Sequence, residues 1–285
     1  MGLRFFCYCF TPPNREIYKL LEAKGIHVTM NGNEILKNIS ISIEPGEFVV
    51  MIGANGAGKS TALKVLSGEL LPSCGTVTLN NIVLSKWNAQ RRAQRLAVLP
   101  QSSSLNFGLR TREVVGLGRL PHEQSHTQTQ HDEIIREAMK RTGLLALSER
   151  SYLTLSGGEQ LRVHLARTIA QVLDYNSGPA KFLLLDEPTS SLDLNHQLRV
   201  LEVVRDLVTE GLGIFAILHD INLAARFADR IYVLKSGICI RHGTVENVVN
   251  EELLLDAFGL KSKVINVDGL DHPTVCVLKR AKDAF

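Results

Sequence analysis

The segment that most constrains the fold is a short glycine-rich loop at residues 53–61, with the sequence GANGAGKST. It matches the pattern G-x-x-x-x-G-K-[ST], and it stands between the apolar run FVVMI and the helical pattern ALKVLSG. Gly53 and Gly58 allow the backbone to curl so that its N–H groups point at a phosphate, and the following helix start adds partial positive charge. This context predicts a phosphate-binding loop between a buried strand and a helix, and therefore an α/β fold.

The loop also predicts which side chains bind a nucleotide. Lys59 would bridge the β- and γ-phosphates of ATP, and the Ser60 hydroxyl would be a ligand of Mg²⁺. We therefore predict ATP and Mg²⁺ as the bound groups. The residues predicted to contact the phosphates are Gly53, Ala54, Asn55, Gly56, Ala57, Gly58, Lys59, Ser60 and Thr61.

A second part of the site is predicted at the segment KFLLLDEP, residues 181–188. Its apolar run indicates a buried strand, which places Asp186 at the carboxyl end, where it can hold Mg²⁺ through water. The adjacent Glu187 is then free to accept a proton from an attacking water, so we predict that it is the general base. An Asp-Glu pair after a strand is by itself also typical of a helix N-cap, but the phosphate-binding loop favours the catalytic interpretation.

Another helix start suited to an anion lies at residues 154–162, with the sequence TLSGGEQLR. Ser156 and the N–H groups of Gly157 and Gly158 precede a run of helix formers, and such a start attracts negative charge. The sequence thus predicts two anion sites in one chain, although one nucleotide needs only one phosphate-binding loop.

The hydrophobic pattern divides the chain into three parts. β-rich runs dominate the N-terminal part, up to a strand that ends near Gln101. Over residues 111–170 apolar residues recur three and four positions apart, which indicates helices. The later runs KFLLLDEP, GIFAILHD and RIYVLKSG alternate with helical sequence, as buried parallel strands do in an α/β sheet. Residues 246–285 are expected to form a helix and short strands that pack on this sheet.

Composition excludes several classes of protein. Of 285 residues, 45% are apolar and 21% are charged, and no apolar run reaches the roughly 18 to 20 residues that span a bilayer. A net charge of +3, spread along the chain, argues against nucleic-acid binding. Five cysteines without C-x-x-C spacing favour a reducing compartment. The apolar block at the N terminus is shorter than a signal-peptide core, so we expect a cytoplasmic protein.

Taken in order, the motifs resemble those of ABC transporter nucleotide-binding subunits over residues 20–245, with residues 1–19 and 246–285 as extensions. The set comprises the loop at 53–61, Gln101, LSGGE at 155–159, LLLDEP at 183–188, SSLD at 190–193 and His219. The resemblance implies a RecA-like P-loop NTPase core, an N-terminal antiparallel β subdomain and a helical subdomain inserted at about 102–170. It also implies a head-to-tail homodimer in which LSGGE of one chain caps the ATP bound by the other. A dimer of this kind would account for the two anion sites.

The same resemblance assigns further roles. Gln101 corresponds to a glutamine that contacts Mg²⁺ and the attacking water, and His219 to a histidine that contacts the γ-phosphate. Asp193 corresponds to an aspartate that communicates across the dimer. Three positions depart from the family pattern. Met30 stands where an aromatic residue usually stacks on adenine, Leu161 replaces the second glutamine of GGEQQR, and Ala54 replaces a frequent proline of the phosphate-binding loop.

Two segments narrow the resemblance to importers. FGLRTREVVGLGRLPH (107–122) is similar to the branch that takes up iron chelates, cobalamin and haem, and the long connection AQVLDYNSGPAK (170–181) is similar to the haem importers. The implied partners are an integral membrane permease dimer and, indirectly, a periplasmic haem-binding protein. The implied location is the cytoplasmic face of the inner membrane, bound peripherally through the permease. Ferric siderophore and cobalamin are the alternative cargoes, and a non-transport ABC ATPase is a less favoured alternative.

Two groups of potential ligands are interpreted as structural. His122, His126 and His131 in PHEQSHTQTQH suggest haem ligation, but this polar stretch predicts an exposed loop before a helix. Cys7 and Cys9 are potential metal ligands, but an N-terminal extension ahead of the first strand is the simpler interpretation.

Overall fold

A computed structural model of the chain describes residues 20–102, 105–106, 108–174, 178–190 and 192–280. Parts of several predictions lie outside the described residues: the extension with Cys7 and Cys9, Phe107, residues 175–177 of the long connection, Ser191 and residues 281–285.

The described residues form twelve strands and nine α-helices. The strands are β1 (Leu21–Met30), β2 (Asn33–Ile43), β3 (Phe48–Gly53), β4 (Cys74–Leu79), β5 (Ile82–Val83), β6 (Leu96–Leu99), β7 (Phe182–Asp186), β8 (Gly213–Ile217), β9 (Arg230–Lys235), β10 (Ile238–Thr244), β11 (Leu260–Ile265) and β12 (Thr274–Arg280). The helices are α1 (Lys59–Ser67), α2 (Ala89–Ala93), α3 (Thr111–Gly116), α4 (Gln128–Arg141), α5 (Gly157–Val172), α6 (Leu194–Thr209), α7 (Ile221–Phe227), α8 (Val245–Val248) and α9 (Glu251–Phe258). Short 3₁₀ segments lie at Leu84–Lys86, Leu117–His122, Leu145–Leu147 and Tyr152–Thr154.

The central sheet is built from strands whose sequences are almost wholly apolar. It has six strands in the order β10-β9-β3-β8-β7-β6, and all neighbours are parallel except β10 with β9. Every residue of β3, β7 and β8 is buried, because helices cover both faces of such a sheet. The predicted buried parallel strands are confirmed. Since parallel strands end at one edge of the sheet, the residues that follow β3, β6, β7 and β8 are brought together there.

The N-terminal sheet is antiparallel, with strands in the order β2-β1-β4-β5. Asn31 and Gly32 turn the chain between β1 and β2, with φ of 50° and 77°, and this turn requires positive φ at both positions. The inner face of the sheet shares a hydrophobic core with α1, to which Leu21, Val28 and Leu63 contribute. The predicted antiparallel β subdomain is therefore confirmed.

The helical part of the chain lies between β6 and β7 in sequence. Helices α3, α4 and α5 pack on one another, and α5 also contacts β6 and β7. Val163, Ala166 and Ile169 recur three residues apart on α5 and are fully buried, as the helical periodicity predicted. The predicted insertion of a helical subdomain into the α/β core is confirmed.

The prediction of an exposed loop before a helix is confirmed for Glu123, Gln124, Ser125 and Thr127, but it is wrong for the three histidine side chains. His122 and His131 are only 3% and 8% exposed, and the His126 side chain is 5% exposed. Helix α4 already begins at Gln128, where Thr127 forms its N-cap. The three imidazoles therefore lie inside the helical subdomain.

Polar side chains are buried here because they bind the C-terminal end of α5. The last carbonyl groups of a helix have no hydrogen-bond partners within the helix. His122 Nε2 donates to the carbonyl of Gln171 over 2.8 Å, and Arg119 Nη1 donates to the carbonyls of Ala170 and Leu173 over 2.6 and 3.1 Å. Burial, and after it the charge of Arg119, lowers the pKa of His122 to about 4. The polar residues are buried because they satisfy backbone groups, which the hydropathy of a sequence does not register.

The C-terminal residues form helices α8 and α9 and a separate antiparallel sheet of β11 and β12. This sheet is attached to α7 by two hydrogen bonds of one side chain. Asn222 Nδ2 donates to the Val275 carbonyl over 3.2 Å, and the Val275 N–H donates to Asn222 Oδ1 over 2.7 Å. In the described part of the chain no helix combines the length and the apolarity that crossing a bilayer demands.

Candidate active site

The predicted phosphate-binding loop connects β3 to α1 along the carboxyl edge of the central sheet. A Cβ atom on Gly53 would lie 2.2 Å from the Leu234 carbonyl oxygen, so this position admits no side chain. Gly58 has φ of 103° and forms the N-cap of α1, a conformation that other residues rarely adopt. The two glycines thus allow the loop to fold tightly ahead of a helix start.

Lys59 is held at the centre of this loop. Its Nζ atom donates to the carbonyl oxygens of Gly53 and Ala54 over 2.9 and 3.0 Å, and the residue is 6% exposed. Burial lowers the pKa of Lys59, while the negative charges of Glu187 and Asp186 oppose that shift. Since an ammonium group has three N–H donors, two carbonyl contacts leave one for a phosphate oxygen.

Ser60 and Asp186 meet beside the loop, although they come from different parts of the sequence. Ser60 Oγ donates to Asp186 Oδ1 over 3.4 Å, and Asp186 is 7% exposed at the end of β7. Burial raises the pKa of Asp186, and the hydrogen bond from Ser60 partly offsets this. A hydroxyl and a buried carboxylate are oxygen ligands of the type that Mg²⁺ prefers, so these residues fit that ion.

Glu187 contacts both of the other residues predicted to be catalytic. Its Oε1 atom lies 2.6 Å from His219 Nε2, and its Oε2 atom accepts a hydrogen bond from Gln101 Nε2 over 2.8 Å. The three residues follow β7, β8 and β6, which are neighbours in the sheet. The structure therefore brings Gln101, Glu187 and His219 together at the edge that holds Lys59 and Asp186.

The backbone of Glu187 is in the left-handed region, with φ of 53°, which is uncommon for a residue with a side chain. Ser190 supports this conformation, because its N–H and Oγ donate to the Glu187 carbonyl over 3.1 and 2.9 Å. Ser190 belongs to the SSLD motif, but the sequence pattern predicts no role for this residue on its own. The signal that could have found it is a hydroxyl residue three positions after the predicted base, the spacing of a side-chain-closed turn.

Ser156, Gly157 and Gly158 form the start of α5, where Ser156 and Gly157 are exposed and Gly158 is half-buried. Ser156 is the N-cap of a capping box, in which its Oγ accepts from the Glu159 N–H and Glu159 Oε2 accepts from the Ser156 N–H over 2.8 Å. Within the described residues, no hydrogen bond or ion pair joins this helix start to the loop at 53–61. The structure thus presents the two predicted anion sites of one chain as separate groups.

The remaining predicted site residues lie near these two groups. Asp193 is the N-cap of α6, and its carboxylate bonds with the N–H and Nδ1 of His196. The preceding residue, Leu192, lies against α5, since its Cδ2 atom is 3.0 Å from where a Cβ on Gly158 would be. Met30 ends β1 and is 38% exposed.

Several known proteins and solved structures are similar to this chain. The Hemin import ATP-binding protein HmuV of Pseudomonas fluorescens (strain Pf0-1) is 44% identical over 256 residues, which cover 90% of this chain and 99% of that protein. Its namesake from Gloeobacter violaceus is 43% identical and covers 92% and 95%. The dimeric structure of MJ0796, a bacterial ABC transporter cassette, has a TM-score of 0.69 at 28% identity and covers 79% of this chain and 98% of that one.

The fold and the site define a P-loop NTPase, in which a glycine-rich loop, a buried aspartate and a clustered glutamate line one edge of a parallel sheet. The sequence model that describes ABC transporters matches residues 36–190. The chain belongs to the ABC transporter family, as one of its ATP-hydrolysing subunits.

Proposed function

We propose that this chain hydrolyses ATP to drive the import of haem through a separate membrane permease. The proposal that the chain hydrolyses ATP rests on the position of Glu187. This residue is held between His219 and Gln101, beside the loop that contains Lys59. The cargo rests on the curated relatives, which are named hemin import ATP-binding proteins and are matched over nearly their whole length.

In the proposed mechanism, the N–H groups of the loop at 53–61 and the third N–H of Lys59 bind the β- and γ-phosphates. Ser60, Asp186 and Gln101 would hold Mg²⁺, which neutralises charge on the phosphates when bound. Gln101 Nε2 donates to Glu187, so its Oε1 oxygen is the atom left for the metal or for water. These contacts fix the γ-phosphate near the Glu187 carboxylate.

Glu187 then acts as the general base. Its carboxylate accepts a proton from a water whose oxygen forms a bond to the γ-phosphorus, and the bond from that phosphorus to the bridging oxygen of ADP breaks. The contact with His219 Nε2 orients the carboxylate, and Gln101 fixes its other oxygen. A carboxylate held on both sides lies ready for the water, which is the positioning that this reaction requires.

The proposed role of Ser156, Gly157 and Gly158 is to bind the nucleotide of a second copy of the chain. Ser156 and Gly157 are exposed at the N-terminal end of α5, Gly158 is half-buried, and Ser156 bonds with Glu159 in the capping box. We propose that they contact the γ-phosphate of ATP bound to the partner's loop, with Asp193 nearby at the same interface. Each site of the homodimer would then consist of residues from both chains.

The proposed partners outside the homodimer are an integral membrane permease dimer and, indirectly, a periplasmic haem-binding protein. The chain would bind the permease peripherally at the cytoplasmic face of the membrane. We propose that the chain is organised as a nucleotide-binding domain at residues 20–245, with a helical subdomain at about 102–170. Residues 246–285 would form an extension that packs on the core.

The cargo is tested by reconstituting the chain with its own permease and binding protein in liposomes. Haem, a ferric siderophore and cobalamin are offered separately, and uptake is measured with and without ATP. We expect ATP-dependent accumulation of haem alone. Uptake of cobalamin or of the siderophore, without uptake of haem, would refute the cargo and leave the ATPase mechanism intact.

A further inference from the structure

A cluster of three possible metal ligands lies in the helical subdomain, apart from the nucleotide site. His122, His126 and Asp174 each offer one ligand atom, and these atoms lie within 4.8 Å of one another. His122 ends a 3₁₀ segment, His126 lies in the turn before α4, and Asp174 follows the end of α5. The cluster therefore joins three separate stretches of the subdomain.

The hydrogen bonds of His122 define which nitrogen is available. Its Nε2 atom lies 2.8 Å from the Gln171 carbonyl oxygen, and because a carbonyl only accepts, Nε2 carries the proton. In the neutral ring Nδ1 then keeps its lone pair. Metal-binding histidines generally donate their other N–H to a backbone carbonyl or a carboxylate in this way.

The two ring nitrogens of His126 contact Ser125 and Asp174. Ser125 Oγ donates to the His122 carbonyl over 3.0 Å, and it also lies 3.0 Å from His126 Nδ1. His126 Nε2 lies 3.3 Å from Asp174 Oδ1. When Nε2 carries no proton, this nitrogen and the carboxylate oxygen both present lone pairs, and a cation between them would replace the missing proton.

The distance of 3.3 Å matches the separation of two ligands around a metal ion. Zinc–nitrogen bonds of about 2.0 Å at a tetrahedral angle place neighbouring ligand atoms roughly 3.3 Å apart. We propose that His122, His126 and Asp174 bind one first-row transition-metal dication of the zinc type. Two imidazoles and one carboxylate leave a fourth position open for water.

The charges around the cluster restrict which metals can bind. Lys181 Nζ lies 3.5 Å from Asp174 Oδ2, and Arg119 Nε lies 3.3 Å from Nδ1 of the neighbouring His131. These positive groups offset the single carboxylate, so the site has no excess of negative charge to attract Mg²⁺ or Ca²⁺. Binding must come from the imidazole nitrogens, which favour zinc, cobalt or nickel.

The site would fasten the turn before α4 to the end of α5. Ser156 is the N-cap of α5, so the metal would fix the opposite end of the helix that carries the second anion site. Saturation at about 100 times the dissociation constant should raise the Tm of the protein by roughly 5 °C. This consequence does not depend on the proposed cargo.

The test uses the full-length chain, stripped of metal and kept in millimolar Mg²⁺, and titrated first with Co²⁺ and then with Zn²⁺. We expect visible d–d absorption of tetrahedral Co²⁺ with nitrogen and oxygen ligands, without thiolate charge-transfer bands, and its loss on adding one equivalent of Zn²⁺. His126→Gln and Asp174→Asn should each weaken binding by about tenfold or more. His27→Gln is the matched control, since His27 forms an exposed pair with Glu34 over 2.9 Å and should leave binding unchanged.

The proposal is overturned if the wild-type chain gives no such Co²⁺ spectrum, or gives one with thiolate bands. It is also overturned if folded His126→Gln and Asp174→Asn bind Zn²⁺ as tightly as wild type. The wild-type spectrum needs no variant, so it decides the question even where a substitution prevents folding.

Discussion

The replacement Glu187→Gln tests the proposed general base with the smallest change of shape. The glutamine keeps the size of the side chain, and its Oε1 can still accept one of the two hydrogen bonds that Glu187 accepts from His219 and Gln101. The other contact then faces an NH₂ group, which costs about 1 kcal/mol of local stability. The fold and the loop around Lys59 should therefore persist.

The effect on turnover follows from the loss of the proton acceptor. A positioned general base contributes about 10² to 10⁴ in rate, so kcat should fall by at least about 10², which is about 2.7 kcal/mol in activation free energy. ATP affinity should be nearly unchanged, because the proposed phosphate contacts come from the loop at 53–61.

Phosphate release by the assembled transporter measures kcat, and a fluorescent ATP analogue measures affinity. Glu149→Gln is the matched control, because Glu149 is an exposed carboxylate that pairs with Arg110 away from the site. Turnover in Glu187→Gln within about threefold of wild type would remove Glu187 from the role of base.

Three further predictions concern the rest of the site. Lys59→Ala should weaken ATP binding by about 10- to 100-fold, as expected for a lost charge-assisted hydrogen bond, and unchanged affinity in the fluorescence assay would contradict this. Ser156→Arg should abolish hydrolysis, yet mixing it with Lys59→Ala should restore phosphate release, because a mixed dimer then has one intact composite site; hydrolysis by a strictly monomeric chain would argue against shared sites. Hydrogen bonds from Ser156 hold the pKa of Glu159 below its usual range, so its stabilising effect should be present above the ordinary carboxyl pKa of about 4.3 and lost as pH falls through the lower folded value. The Tm difference between wild type and Glu159→Gln should narrow over that range, and a constant difference would contradict the assignment.

The sequence predicted the parts of the site that depend on local pattern. A glycine-rich loop between an apolar strand and a helix is specified within a few residues, and the structure has it between β3 and α1. The meeting of Gln101, Glu187 and His219 was also accessible, because all three follow apolar strands and parallel strands end at one edge.

Other features depend on contacts that no local pattern specifies. The burial of His122 follows from its bond to the Gln171 carbonyl, and that partner is distant in sequence. The separate sheet of β11 and β12 is attached to α7 through one side chain, Asn222, and β11 also pairs with Glu251 at the start of α9. The local hydropathy of a sequence does not show that a side chain will bind the end of α5 or that Asn222 will bind Val275. Both arrangements could therefore be found only in the structure.

The central claim is that ATP hydrolysis by this chain drives haem import, and parallel measurement of both processes tests it most directly. Proteoliposomes containing the permease, the haem-binding protein and either wild-type chain or Glu187→Gln are given ATP, and phosphate release and haem uptake are followed together. We predict that wild type shows both and that both fall together by about 10² or more in Glu187→Gln. Haem uptake that persists in the variant, or phosphate release by wild type without any haem uptake, would contradict the account.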